Sequence, residues 1–425
     1  MTERLTCDVV VVGAGMVGAA CALYAARAGL DVVVVDRGPV AGGTTGAGEG
    51  NLLVSDKEPG PELELALLSG RLWAELAAEP GLGAAFEYEA KGGLVVASTP
   101  DGLTALEGFA AGQRAAGVEA ITVEAHRLPA LEPHLAPGLA GGVYYPQDAQ
   151  VMPTLAAAHL VRASGARLLT GRTVTEVLRT ADGTVRGVRT DRGEIHAPAV
   201  VNAAGTWGGE LAALAGVGLP VLPRRGFVLV TEPLPRLVRH KVYAADYVAD
   251  VASDSAALQT SPVVEGTAAG PVLIGASRER VGFDRSFSLP VVRALAAGAT
   301  RLFPFLERVR AMRTYVGFRP YMPDHLPAIG PDPRVPGLFH ACGHEGAGIG
   351  LATGTGYLIA QVLGGKAPEL GLGPFRPDRF DKSDVDASHI DEPDVDESDV
   401  DESDVDESDV DEFGGEFEDF GRESE

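Results

Sequence analysis

The chain has 425 residues, enough for one large domain or two to three ordinary ones, so packing alone can build its core without a metal or disulfide staple. Its 35 Lys and Arg against 59 Asp and Glu give a net charge of -24, which argues against a general nucleic-acid binder, because phosphate contacts need concentrated cations. That charge is local: residues 381–425 hold 22 acidic and 2 basic residues, and residues 1–380 carry only -4.

The N-terminus runs straight into an apolar strand, Val9 to Val12, without the charged and apolar regions of a leader peptide. Gly13-Ala14-Gly15-Met16-Val17-Gly18 follows, and Ala19 to Ala28 reads as a small-residue helix ending at Gly29. A second strand, Asp31 to Val35, ends in Asp36, which lies 18 residues past Gly18 and is followed by Arg37. Strand, glycine turn, helix, strand and acid in this register predict a bound dinucleotide. Gly13 permits the tight turn, Gly15 lets a pyrophosphate reach the backbone, and Gly18 lets helix and strand pack closely. The helix N-terminus offers free N–H groups and a positive dipole, and Asp36 would bind a ribose.

The glycine-rich loop from Gly38 to Leu53 is too long for an ordinary βα turn and suits wrapping a cofactor's middle. Glu62 to Ala78 and residues 101–116 read as helices, with strands between residues 86 and 100. Gly141 to Tyr145 is a strand, and a helix runs from Pro153 to Ser164. Strands follow at 166–169, 174–180, 185–190 and 195–201, the second and third joined by an Asp182-Gly183 turn. The last leads into Asn202-Ala203-Ala204-Gly205-Thr206-Trp207, a second small-residue turn. From residue 223 to 317 the pattern becomes antiparallel, with strands at 227–231, 256–260 and 272–277 and a helix at 290–303. Gly337 to Cys342 is a strand running into Gly343-His344-Glu345-Gly346-Ala347-Gly348-Ile349, then a helix to Leu363.

The fold class expected is α/β with an α+β insert. A Rossmann-like cofactor domain is built from residues 1–85, 145–220 and 318–370, and an antiparallel substrate domain from 86–144 and 221–317. The tail at 381–425 repeats DESDV at residues 396–410 and reads as disordered and acidic. Cys7, Cys21 and Cys342 make no CxxC pair and are too few for an iron–sulfur cluster, so a reducing, cytoplasmic setting is expected, with no metal site and no membrane insertion.

Five segments in order, VVVVGAGMVGAACALYAARAGLDVVVVDR, GTTGAGEGN, VVNAAGTWG, GFRPYMPDHLPAIG and GLFHACGHEGAGIGLATGTG, make the chain resemble the D-amino-acid-oxidase-like flavoenzymes, the group of glycine oxidase, sarcosine oxidase and D-amino acid dehydrogenase. The GHEGAGI and GAGEGNLLV segments are more similar to the D-hydroxyproline dehydrogenase and opine oxidase subunits. The resemblance implies FAD and oxidation of a C–N bond to an imine. It puts Gly13, Gly15, Met16, Val17 and Gly18 at the pyrophosphate, and Asp36 and Arg37 at the ribose end. Gly43, Thr44, Thr45 and Gly46 would run along the diphosphate and flavin, and Ala204 and Gly205 would form a second turn near the ligand. Gly346, Ala347, Gly348 and Ile349 would lie against the flavin's pyrimidine edge.

The resemblance also makes Arg319 a clamp for the substrate carboxylate, the alternative being a structural pairing with Asp324 or a strand carbonyl. Where glycine oxidase has a second arginine this chain has Gly346, preceded by Glu345, so a larger or secondary amine becomes more plausible. Glu49 is a candidate partner for the substrate amine. His344 is read as a positioning or loop-capping residue beside the flavin, and His325 as facing substrate or capping its turn. Tyr243 and Tyr247 line the pocket or belong to the core. The expected activity is oxidation of a D-amino acid or a cyclic imino acid such as hydroxyproline, with O2 or a partner redox protein as electron acceptor. The alternatives are an N-methyl or biosynthetic amine substrate, or a role as catalytic subunit of a multi-subunit dehydrogenase.

Overall fold

Val9–Val12 and Val32–Val35 are runs of four valines, every one buried. Stiff β-branched side chains without polar alternation suit a strand covered on both faces, the position of a central parallel strand. The computed structural model describes residues 3–245 and 255–380 and pairs these two strands in parallel inside a six-stranded sheet. Its order is Ala328–Pro331, Leu338–Cys342, Ala199–Asn202, Val9–Val12, Val32–Val35, Arg167–Leu169. Only the first pair is antiparallel. Three neighbouring strands therefore point the same way, and the turns after Val12, Asn202 and Cys342 meet at one end of the sheet. Ligands of open α/β sheets collect at this carboxyl end.

The helix Met16–Arg27 packs one face on this sheet and another against Ala352–Leu363, with its alanines and Gly18 buried. The crossing is close: a Cβ on Gly356 would stand 2.5 Å from the carbonyl carbon of Ala20. The strand expected over residues 195–201 is two strands. Gly193–His196 joins a four-stranded sheet with Glu3–Thr6, Val185–Thr190 and Val174–Arg179, whereas Ala199–Asn202 enters the parallel sheet. Pro198 between them has no N–H to donate and breaks the ladder.

The largest sheet has eight strands in the order Ala311–Tyr321, Leu222–Thr231, Val272–Arg278, Gln259–Gly266, Lys241–Ala244, Gly93–Ala97, Gly141–Tyr145, Ile121–Glu124. All pairs are antiparallel except Lys241–Ala244 with Gly93–Ala97. The boundary expected between residues 317 and 318 falls inside one continuous strand, which pairs along its length with Leu222–Thr231. The strand expected at 256–260 starts at Gln259 and runs to Gly266. The helix Leu289–Leu302 covers one face with Val291, Leu295, Ala299 and Leu302 against Phe227, Leu229, Val264 and Ile274. Among the described residues no helix is long and apolar enough to cross a membrane. Tyr247 and residues 381–425 lie outside the described residues.

Candidate active site

A continuous cleft opens where the three parallel-strand turns meet. One end, a cavity of about 380 Å³, is lined by Gly13, Gly15, Asp36, Arg37, Gly43, Thr44, Thr45, Ala204, Gly205 and Trp207 among others. The other, about 120 Å³, shares Gly15, Thr44, Thr45, Ala203 and Gly205 with the first and runs on past Met16 and Val17 to Glu49, Arg319, His344, Gly346, Gly348 and Ile349.

The first end is built mostly of backbone. Gly13 has φ +114°, and a Cβ there would meet the carbonyl oxygen of Ala203 at 2.2 Å; a Cβ on Gly18 would meet the carbonyl oxygen of Gly13 at 1.9 Å. Gly15, just before the 12-residue helix starting at Met16, has no side chain to cap it, and the first N–H donates to Thr45 Oγ1 at 3.0 Å. A helix start opening onto a glycine-walled cleft fits a diphosphate. The Asp36 carboxylate accepts from Ala14 N and Gly38 N, both at 2.7 Å, and its remaining lone pairs are available to ribose hydroxyls. Arg37 stacks its guanidinium 4.1 Å over the Trp207 ring, which stacks in turn on Phe283 at 5.4 Å. The residues present therefore fit FAD: the glycine turn and helix start would hold its diphosphate, and Asp36 its ribose.

Thr44 and Thr206 both donate to the carbonyl of Phe318, at 2.6 and 2.8 Å. This fastens two cofactor loops to the strand that carries Arg319. Arg319 Nη1 donates to the carbonyl of Ser277 at 2.8 Å, so its guanidinium lies across the sheet over Gly226, where a Cβ would come within 2.1 Å of Nη1. A Cβ on Gly346 would sit 3.4 Å from Arg319 Nε, so Gly346 makes room for the arginine stem instead of adding a second cation. Of the two alternative partners, Asp324 is taken by Arg379 at 2.6 Å, whereas a strand carbonyl, that of Ser277 on Val272–Arg278, is the one Arg319 binds.

Glu345 has φ +46°, lines the cleft, and pairs with Arg224 and with His325 Nδ1 at 3.0 Å. These partners hold its carboxyl down at about 2 against the cost of burial. Arg224 is the cross-strand neighbour of Arg319, so Glu345 neutralises a like-charge pair. His325, read as facing substrate or capping a turn, is tied into this ion pair. His344 is buried, with Nε2 2.9 Å from Thr355 Oγ1, and burial lowers its pKa to about 3, leaving a neutral ring.

Glu49 is 9% exposed. Its Oε2 accepts from Asn51 Nδ2 at 3.3 Å, and its Oε1 has no hydrogen-bond partner. Behind it lie two charges that sequence reading missed: Lys241 Nζ stands 3.6 Å from Glu49 Oε1 and 2.9 Å from Glu265 Oε2, with Asn51 Oδ1 as a further acceptor. Burial raises the Glu49 pKa; Lys241 and Arg319 pull it back, and Glu265 pushes it further up.

Several expected residues stand elsewhere. Tyr243 does not line the cleft: it is fully buried and donates to Ser55 Oγ at 2.5 Å, beside Asp148, because Tyr243 lies two residues past Lys241 on the same strand face. Gly46 turns its loop, since a Cβ would meet the carbonyl of Ala41 at 2.4 Å, and it does not line the cleft. Gly18 likewise serves helix–strand packing. Ala347 faces a separate cavity of about 390 Å³, on the other side of the 345–347 turn, with Lys57, Glu62 and Arg278. The segment from Gly346 begins with a 3-10 turn, Glu345–Ala347, and the helix proper starts at Ala352. Trp73 Nε1 anchors that segment through the carbonyls of Ile349 and Gly350.

A long cleft, walled by the parallel-sheet turns at one end and by a half-buried arginine and a buried carboxylate at the other, suits an oxidoreductase acting on a small molecule. The family model described as "FAD dependent oxidoreductase" (DAO) matches residues 8–362. The chain belongs to this family and is an FAD-dependent oxidoreductase of amines or amino acids. It is 32% identical over 419 residues to the hydrogen cyanide synthase subunit HcnC of Pseudomonas aeruginosa, covering 88% of this chain and 96% of that one. It is also 32% identical over 384 residues to the glycine oxidase of Geobacillus kaustophilus, covering 88% and 97%. The crystal structure of a glycine oxidase from that organism superposes with a TM-score of 0.80 at 29% identity, covering 89% of this chain and 100% of that chain. The L-proline dehydrogenase of P. horikoshii shares the fold, with a TM-score of 0.79 at 23% identity over 89% and 98%.

Proposed function

We propose that the enzyme oxidises the C–N bond of an amino acid, a D-amino acid or a cyclic imino acid such as hydroxyproline, to the imine. The observation that carries this reading is that one guanidinium, Arg319, and one buried carboxylate with an oxygen that makes no hydrogen bond, Glu49, line the same cavity. Arg319 would fix the substrate carboxylate, and Glu49 would receive an N–H of the amine. Two fixed ends orient the Cα–H between them, and such positioning accounts for much of a barrier's reduction. Gly346, in place of a second cation, leaves space beside Arg319 for substituents on the amine or a ring.

FAD, when bound, supplies the acceptor for the hydride leaving Cα. His344, neutral and held by Thr355, shapes the cavity without adding charge. The cofactor would be held by residues 1–85, 145–220 and 318–370, and the substrate by 86–144 and 221–317, with Arg319 on the strand that crosses between them.

A second reading, in which the chain is the catalytic subunit of a larger dehydrogenase and passes electrons to a partner redox protein, is supported by the similarity to HcnC, itself named as a subunit. The test is an anaerobic absorbance titration of the purified yellow protein with D-proline, hydroxyproline isomers, sarcosine, glycine and other D-amino acids. Bleaching by a cyclic or D-amino acid is expected, and failure of all of them to bleach would remove the amino acid reading. Rapid reoxidation in air would favour an oxidase over a subunit that needs a partner.

A further inference from the structure

Building on the reading of Glu49 as amine partner, we propose that Lys241 and Glu265 form a buried positioning pair that sets the charge of Glu49, so that Glu49 takes the proton of a substrate ammonium as it binds.

The geometry is specific. Lys241 is 2% exposed and Glu265 1% exposed, at the centre of the eight-stranded sheet, where a charge persists only when partnered. Lys241 Nζ faces both carboxylates, at 2.9 Å to Glu265 and 3.6 Å to Glu49. Glu265 is spent on the lysine and on the N–H of Gly50, to which its Oε1 is 3.4 Å. Glu49 Oε1 makes no hydrogen bond, and the Glu49 side chain is one of those that line the cavity holding Arg319. The other charged or titratable groups around Glu49 are few. Arg319 and Tyr315 come from the strand Ala311–Tyr321, Tyr315 with its hydroxyl on the carbonyl of Gly48 at 3.3 Å. Lys91 and Glu89 act from behind Glu265.

One lysine between two carboxylates leaves a net negative charge, which an arriving ammonium cancels. Transfer of one N–H proton to the Glu49 carboxylate breaks an N–H bond, forms an O–H bond and leaves the nitrogen lone pair free. When the Cα–H leaves with its electron pair to the family's cofactor, that lone pair becomes the C=N bond of an iminium ion. No further co-reactant is required. Lys241 touches no reacting atom; it acts through Glu49.

The test is the pH dependence of ligand binding to the holoenzyme, followed by perturbation of the flavin spectrum without turnover. The probes are 2-methylproline, which has an amine but no Cα–H, and pyrrole-2-carboxylate, which has the carboxylate but no basic nitrogen. Binding of 2-methylproline should weaken on the acid side, about tenfold per pH unit below the Glu49 transition, and binding of pyrrole-2-carboxylate should lack that limb. Lys241→Met should move the limb up by about one pH unit or more, and Glu265→Gln should move it down, because a negative charge beside Glu49 is then removed while the lysine stays. Lys241→Arg should restore the wild-type profile.

Shifts of opposite sign are something a purely structural pair would not produce, and the isosteric Glu265→Gln keeps the test alive where Lys241→Met fails to fold. A limb that neither substitution moves, or the same shift for both ligands, would overturn this inference alone. Failure of both ligands to bind would overturn the proposed function with it.

Discussion

The two ends of the cleft are made from different materials. The nucleotide end is mostly backbone: glycines whose missing Cβ atoms leave room, and the start of the helix Met16–Arg27 beside them. The substrate end is side chain: Arg319 and Glu49 line it, with Lys241 and Glu265 buried behind Glu49, the four drawn from separate segments. Backbone recognition suits a ligand that never changes, and charged side chains suit one that must be chosen. The first end tolerates almost no substitution at its glycines, and the second can be altered while the cofactor stays in place.

Breaking the nucleotide end should have the largest effect. Gly18→Val would drive a side chain into the carbonyl of Gly13, and such overpacking costs about 1–3 kcal/mol or more. The expected outcome is protein without flavin, read as the ratio of flavin absorbance to protein. Breaking the substrate end at Arg319→Ala should leave that ratio unchanged and raise KM for the amino acid by about 10- to 100-fold, the usual loss for a charged hydrogen bond. An unaltered KM would remove Arg319 from the site.

A third change falls where the two ends meet. The His344 pKa is held at about 3 in the folded protein against an ordinary 6.5. The unfolded chain therefore binds a proton below pH 6.5 that the folded chain refuses, and stability falls with pH between about 6.5 and 3. The slope is about 1.4 kcal/mol per pH unit, or on the order of 2 kcal/mol at pH 5. His344→Gln should flatten that part of a profile of Tm against pH while leaving the plateau above pH 7 less affected. The smallest effect is expected at Arg37→Ala, which removes the stack on Trp207: FAD affinity should drop about three- to fivefold, a cation–π contribution of about 0.5–1 kcal/mol, with KM for substrate unchanged.

The same contrast explains what the sequence made legible. Strand, glycine turn, helix and acid follow one another within residues 9–36, so local spacing alone carries the dinucleotide reading. Arg319 and Glu49 were visible only through resemblance and loop placement. Lys241 and Glu265 carried no local signal, because a lysine at the start of a short strand reads as an exposed end; its burial depends on Glu49, 192 positions earlier in the chain. Tyr243 misled for a related reason. An aromatic residue on a strand is equally suited to pocket or core, and only the position of Ser55 decides between them. The strand Ala311–Tyr321 escaped notice because its exposed first three residues, Ala311–Arg313, lack the apolar alternation of a half-buried strand, while its pairing with Leu222–Thr231 comes from far away.

The order of strands in the parallel sheet has a consequence for how the protein is made. Ala199–Asn202 lies between Val9–Val12 and Leu338–Cys342, so its outer edge is unpaired until the last of these leaves the ribosome. The 140 residues between Asn202 and Cys342 take roughly 7–28 seconds to synthesise at about 5–20 residues per second. Throughout that interval a valine-rich edge is open to pairing with another nascent chain. Ile349, which lines the end of the cleft that holds Arg319, is made later still, so the cleft is complete only after chain growth has passed that point.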